Sequence, residues 1–155
     1  MTETRNPLTI RKGLQSDAET IARFQIAMAL ETEELALETE TVAKGVQRVF
    51  DEPVRGQYWL AEHNGETVAS LLTLTEWSDW RNGEVIWIHS VYVRPEFRRQ
   101  GIFRAMYARL KQQVETSPDL KGLRLYVEKT NARAIQVYRA LGMSDRHYDM
   151  FEWLK

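Results

Sequence analysis

Apolar residues along the chain alternate between two periods, and the changes of period divide it into elements. Leu8 and Ile10 alternate with Thr9 and Arg11, the spacing of a half-buried strand. Ile21, Phe24 and Met28 recur at helical spacing after Ser16-Asp17-Ala18-Glu19, which has the form of a capping box. An acidic connection from Glu31 to Glu40 leads to a second amphipathic helix with Val42, Val46, Val49 and Phe50. Gly45 weakens that helix, and Pro53 and Gly56 end it. Residues 57–61 read as a strand, Asn64-Gly65 as a hairpin turn that accepts positive φ, and 68–74 as the returning strand. Trp77-Ser78-Asp79-Trp80 leads to a second turn at Asn82-Gly83. Residues 85–93 are long and apolar on both faces, which predicts a central strand.

Pro95 stops that strand, since it has no amide hydrogen to give a neighbour. From Gly101 the period turns helical, with Ile102, Phe103, Met106, Leu110 and Val114 on one face, and runs to about Thr116. Residues 123–127 predict another strand, and the intervening helix lets it lie parallel to the central one. Asn131 is placed to cap a helix bearing Ala134, Ile135, Tyr138 and Leu141, which Gly142 ends. Residues 147–153 suit a terminal strand or strand pair. The expected architecture is α/β, with a mixed sheet. No repeat or linker divides the chain, so residues 1–155 are expected to form a single domain.

Composition narrows the chemistry. A chain of 155 residues with net charge −1 suits one hydrophobic core and is not built as a whole for nucleic acid. There is no cysteine, which excludes disulfides, thiolate metal sites and a cysteine nucleophile. The N-terminus lacks the apolar stretch of a signal peptide and no run approaches a membrane span, so a cytoplasmic location is expected, with no membrane partner. Charge is unevenly spread: Glu31, Glu33, Glu34, Glu38 and Glu40 crowd the first third, and Arg94, Arg98, Arg99, Arg104, Arg109 and Lys111 the centre.

The central basic stretch follows a strand and opens a helix. A helix start leaves amide hydrogens unpaired and carries partial positive charge, and a glycine there lets a bulky group approach. Arg98, Arg99, Gln100, Gly101, Ile102, Phe103 and Arg104 therefore form a candidate socket for a phosphate or pyrophosphate. Arg98-Arg99-Gln100-Gly101-Ile102-Phe103, preceded by Val93-Arg94-Pro95, resembles the acyl-CoA motif of the GCN5-related N-acetyltransferases (GNAT), with Phe103 in place of the usual small last residue. Asn131-Ala132 through Tyr138 to Gly142-Met143 is similar to the family's second signature, with Met143 for the usual aromatic. The order of elements also resembles that family over nearly the whole chain.

The resemblance implies an acyl-CoA N-acyltransferase fold: a mixed, mostly antiparallel sheet with a splayed parallel strand pair and helices on both faces. It implies acetyl-CoA as co-substrate, no metal, and direct transfer to an amine in a ternary complex. By resemblance, Val91, Tyr92 and Val93 offer peptide groups to the pantetheine arm, Asn131 contacts that arm, and Tyr138 protonates the departing thiolate. A phenol pKa near 10 suits that acid role. An amine acceptor also needs a base. His89 matches a position where some members carry a catalytic histidine, Trp87 stands where others carry a glutamate, and Glu128, Glu84 or a water chain are the alternatives.

For the acceptor, an acidic rim with Glu31 and Glu34, together with Trp77, Trp80 and Trp87, would attract a cationic amine, small-molecule or peptide. The competing function is a non-catalytic acyl-CoA-binding module of the same fold, acting as sensor or partner subunit. A dinucleotide-binding domain fails for want of Gly-x-Gly-x-x-Gly after the first strand. Nucleic-acid binding fails for want of stacking aromatics among the central arginines. A homodimer is in keeping with the family.

Overall fold

Two tight turns set the strand order. Asn64 and Gly65 both take positive φ (51° and 82°), the conformation of a hairpin turn whose twist matches its strands. They join β2 (Gln57–His63) to β3 (Glu66–Ser78). Asn82, at φ 49°, closes the turn from β3 into β4 (Gly83–Val93). Strand β1 (Leu8–Lys12) pairs antiparallel with β2, and β5 (Leu120–Arg124) pairs parallel with β4, so the five-stranded sheet runs in sequence order. The computed structural model describes residues 7–155 and divides into two compact units, one running to Arg124 and the other Leu125–Lys155.

In the first unit the sheet is covered on both faces. Helices α1 (Ala18–Glu33) and α2 (Thr39–Asp51) bring Ile21, Ala22 and Val46 onto Tyr58, Leu60 and Leu72. On the opposite face α3 (Ile102–Thr116) buries Ile102, Met106, Tyr107 and Leu110, and Arg109 lies 5.4 Å over the Trp59 ring. Burying such side chains contributes about 1.5–3 kcal/mol each, so these two layers supply most of the driving force. The second unit carries α4 (Ala132–Ala140), capped by the Asn131 Oδ1, which accepts the Ala134 amide at 3.1 Å. Gly142 follows at φ 89°, the left-handed stop expected there.

Four expectations change. Ser16 does not cap α1; it lies in a 3-10 turn (Gln15–Asp17), and Asp17 accepts the Leu14 amide at 2.7 Å while its carboxylate pairs with Arg11. An arginine partner holds that aspartate where a serine cap would otherwise compete. The last strand sits earlier than its apolar run suggests, at Leu120–Arg124, because it follows directly from the Ser117–Asp119 turn whose Asp119 carbonyl accepts the Glu84 amide. Residues 143–155 form neither helix nor strand. β3 also extends four residues beyond its expected end, carrying Trp77 into the ladder opposite Glu84.

Candidate active site

Strand β4 is regular only up to His89. The register pairs Leu74 with Trp87 and Leu72 with His89, then Ser70 with Tyr92, so Ser90 and Val91 together face Leu71. Ser90 takes φ 53°. This is a β-bulge: one extra residue, a bend, and a peptide turned out of the ladder. Alternation predicts Trp87, His89, Val91 and Val93 on one face; the bulge corrects this. Trp87 and His89 share a face with Tyr92, because the extra residue shifts the phase by one. That face is the one under α1, where the Phe24 and Tyr92 rings meet at 4.9 Å. No sequence signal marks Ser90, a residue that seldom takes positive φ.

The parallel ladder between β4 and β5 runs from Glu84–Leu120 to Trp87–Arg124 and stops there, while β4 continues six residues to Val93. The ladder ends where β5 itself ends, and His89 lies two residues beyond the last paired position of β4. Its imidazole stacks 6.1 Å from the Trp87 ring. Burial pushes its pKa below the ordinary 6.5, so it is neutral at pH 7 and able to accept a proton. Glu84 has the opposite parity and faces away from His89.

After β4, a 3-10 turn (Pro95–Phe97) leads to Arg99 at φ 63° and Gly101 at φ 76°, and α3 begins at Ile102. No side chain caps α3, so its first amides are left to water or a ligand. A Cβ added at Gly101 would meet nothing within 4 Å: the backbone there borders open space. Open amides at a helix start, with the exposed Arg99 and Arg104 beside them, fit a diphosphate. Gln100 is turned back, donating to the Glu96 carbonyl at 3.1 Å, and Phe103 is half-buried, its ring 6.3 Å from Tyr107.

Arg98 is otherwise engaged. Its Nε donates to the Val93 carbonyl at 2.9 Å, its guanidinium grips both oxygens of Glu31 (2.8 Å at Oε2), and it lies 5.7 Å over the Tyr92 ring. The Arg98 hydrogen bond holds the Glu31 carboxyl below the usual range. One residue of the expected acidic rim is thus charge-matched by one of the expected socket. Glu34 sits at the left-handed C-cap of α1. Trp77 takes the register position opposite Glu84, on the other face from His89, and Trp80 projects from the β3–β4 turn, 86% exposed. Of the five acceptor candidates, Trp87 is the one the sheet brings to His89.

In the second unit, Tyr138 lies on α4 and burial raises its phenol above the ordinary 10, keeping it protonated through neutral pH. The Glu128 carboxylate accepts the hydroxyl and the amide (2.8 Å) of Thr130, which lowers its pKa and ties it into the turn before α4. Among the described residues no group of three or more His, Asp or Glu side chains could hold a metal ion, and no helix is long and apolar enough to cross a membrane.

A pair of residues escaped the sequence reading. Arg124 ends β5 opposite Trp87, and its Nη1 reaches across β4 to donate to Glu76 Oε1 on β3 at 3.0 Å. A lone arginine within an apolar strand, at 124, was the available signal.

A curled, mixed five-stranded sheet beside a left-handed glycine turn defines the class of acyl-CoA N-acyltransferase folds. The acetyltransferase (GNAT) family model matches residues 24–143, and the chain belongs to that family of acyltransferases. A solved possible acetyltransferase from Clostridium difficile 630 is 37% identical, covering 97% of this chain and 99% of that one, with a TM-score of 0.89. A thialysine N-epsilon-acetyltransferase of Bos taurus is 40% identical over 72 residues, 44% of this chain and 39% of that protein, so the match spans about two fifths of that relative. A predicted acetyltransferase from Clostridium acetobutylicum, solved with acetyl-CoA, shares the fold at 19% identity and a TM-score of 0.70 over 96% of this chain and 94% of that one.

Proposed function

We propose that the protein transfers an acetyl group from acetyl-CoA to an amine by direct attack in a ternary complex, and that residues 1–155 act as one catalytic domain. The observation that carries this is the end of the β4–β5 ladder at Trp87–Arg124, directly upstream of the bulge and the open turn at Gly101. The amides from Gly101 to Arg104, with Arg99, would seat the diphosphate, Gln100 belonging to the same turn. Val91, Tyr92 and Val93 would offer backbone partners to the pantetheine arm, and Asn131 a further contact. Arg98 joins the socket on exchanging Glu31 for phosphate. The family match crosses from one compact unit into the other, which supports a single domain.

The co-substrate supplies an activated thioester. A bulge amide near Ser90 polarises its carbonyl. His89, neutral at pH 7, removes the proton from the amine directly or through water as the N–C bond forms. The C–S bond breaks, and Tyr138, held protonated by burial, gives its proton to the thiolate. Trp87 lines the acceptor side. A relative that acts on thialysine, by its name, favours a primary amine on a flexible chain over an aromatic one.

The test combines calorimetric titration with coenzyme A and thiol release from acetyl-CoA across polyamines, amino acids, antibiotics and peptides. Coenzyme A binding with amine-dependent thiol release is expected. Binding without release under any amine would favour the sensor module, and absence of binding would end the proposal.

A further inference from the structure

The Glu76–Arg124 ion pair has a placement that stability does not explain. It spans two strand spacings over β4, its partners 51% and 30% exposed. A pair so open to water contributes about 0–1 kcal/mol, little reason to hold two side chains across three strands. Its position relative to His89 is the informative part. The register puts Glu76 beside Val85 and Arg124 beside Trp87, on the sheet face that carries Leu72, Leu74 and His89. From Leu72 to Ser78 on β3 and from Gly83 to His89 on β4, the other residues aligned on that face are apolar, aromatic or uncharged, so the pair supplies that stretch of floor with its two formal charges; Glu66, farther along β3, pairs with Arg94.

Strand spacing gives the scale. At about 3.3 Å per residue, Trp87 lies roughly 7 Å and Val85 roughly 13 Å along β4 from His89. The ion pair therefore stands about 7–13 Å from the base, with the Trp87 ring between. An extended lysine-type chain places its carboxylate some 7–8 Å from its terminal amine, six bonds of about 1.5 Å taken in zigzag. Its methylenes would cross Trp87, its carboxylate would meet the planar fork of Arg124, and its α-ammonium would meet Glu76.

We propose that Glu76 and Arg124 read the far end of the acceptor, and that the acceptor class is a free zwitterionic amino acid acetylated on its side-chain amine. This rests on the acetyl-transfer reading above and adds the substrate class. Glu76 and Arg124 exchange their mutual bond for the two charges of the ligand, so neither is left unpaired when the site fills. A plain diamine offers nothing to Arg124, and a peptide-bound lysine offers neither charge.

The experiment measures kcat/KM for acetylation of the side-chain amine, with products separated by chromatography, on lysine, lysine amide and 6-aminohexanoate. Wild type is expected to prefer lysine at least about tenfold over either analogue, since each charge-assisted hydrogen bond is worth roughly 1.5–3 kcal/mol. Arg124→Gln should collapse the preference over lysine amide and keep that over 6-aminohexanoate. Glu76→Gln should do the reverse. The crossed pattern is read as ratios within each variant, so a general loss of activity or folded fraction cancels. Equal rates on the three substrates in wild type, or ratios that fall together in either variant, would overturn the pair's role while leaving acetyl transfer standing. Failure of wild type to bind coenzyme A would overturn both.

Discussion

Replacing Gly101 separates two roles that one residue fills. Its φ of 76° is a left-handed conformation, which costs an ordinary L-residue about 1–2 kcal/mol and asparagine much less. The surrounding space is open, with no atom within 4 Å of an added Cβ, so nothing but the backbone resists substitution in the ligand-free protein. Gly101→Val should therefore lower the unfolding free energy by about 1–2 kcal/mol, a fall in Tm of about 2–8 °C for a chain of this length. Gly101→Asn should stay close to wild type in Tm. Both add a Cβ where a diphosphate would approach, so both should weaken coenzyme A binding, and Asn would do so without loss of stability. Thermal unfolding and calorimetric titration on the same samples decide the matter. If the Asn variant bound coenzyme A like wild type, the diphosphate could not be seated on these amides. If Val left Tm unchanged, the backbone argument would be wrong.

Three further outcomes follow from the site and its frame. Burial lowers the imidazole of His89 below 6.5, so the acidic limb of kcat/KM should lie under that value, the rate falling as the proton returns; in His89→Gln the limb should vanish, and an identical profile would discard His89 as the base. Tyr138→Phe should lower kcat by roughly 10²-fold with coenzyme affinity nearly kept, as expected for a lost general acid; an equal kcat would remove the phenol from the reaction. The Asp17 carboxylate is held below its usual range chiefly by its hydrogen bond from Arg11, so it contributes stability above the unfolded pKa near 3.9 that is lost as pH falls. Asp17→Asn should cost about 1–2 kcal/mol in urea unfolding at pH 7 and noticeably less at pH 3, and a pH-independent cost would contradict the ion pair as its source.

The elements that alternate cleanly, or that close on Asn-Gly or Gly, were legible in the sequence. The β2–β3 hairpin, α2, α3 and the Asn131 cap lie where their residues put them, because local turn chemistry and one-sided burial agree there. The helix start at Gly101 was legible too, since the change of period from strand to helix falls on it. The bulge was not, because Ser90 has no compositional mark of an inserted residue. Nor was the pairing of Glu31 with Arg98, which joins positions 67 residues apart and depends on how α1 lies over β4. Strand β5 was misplaced for the related reason that its apolar run extends past Arg124, the last residue paired with β4.

The extra residue in β4 means that the strand holds two incompatible phases, His89 before it and Tyr92 after it. Deleting Ser90 would leave Val91 alone opposite Leu71 and restore a gapless pairing with His89 and Tyr92 still on one face, so what the serine adds is the bend and the peptide turned out of the ladder. A single serine thus sets the curvature between the half of the strand that anchors a helix and the half that carries His89, while each flank keeps the face its neighbours require.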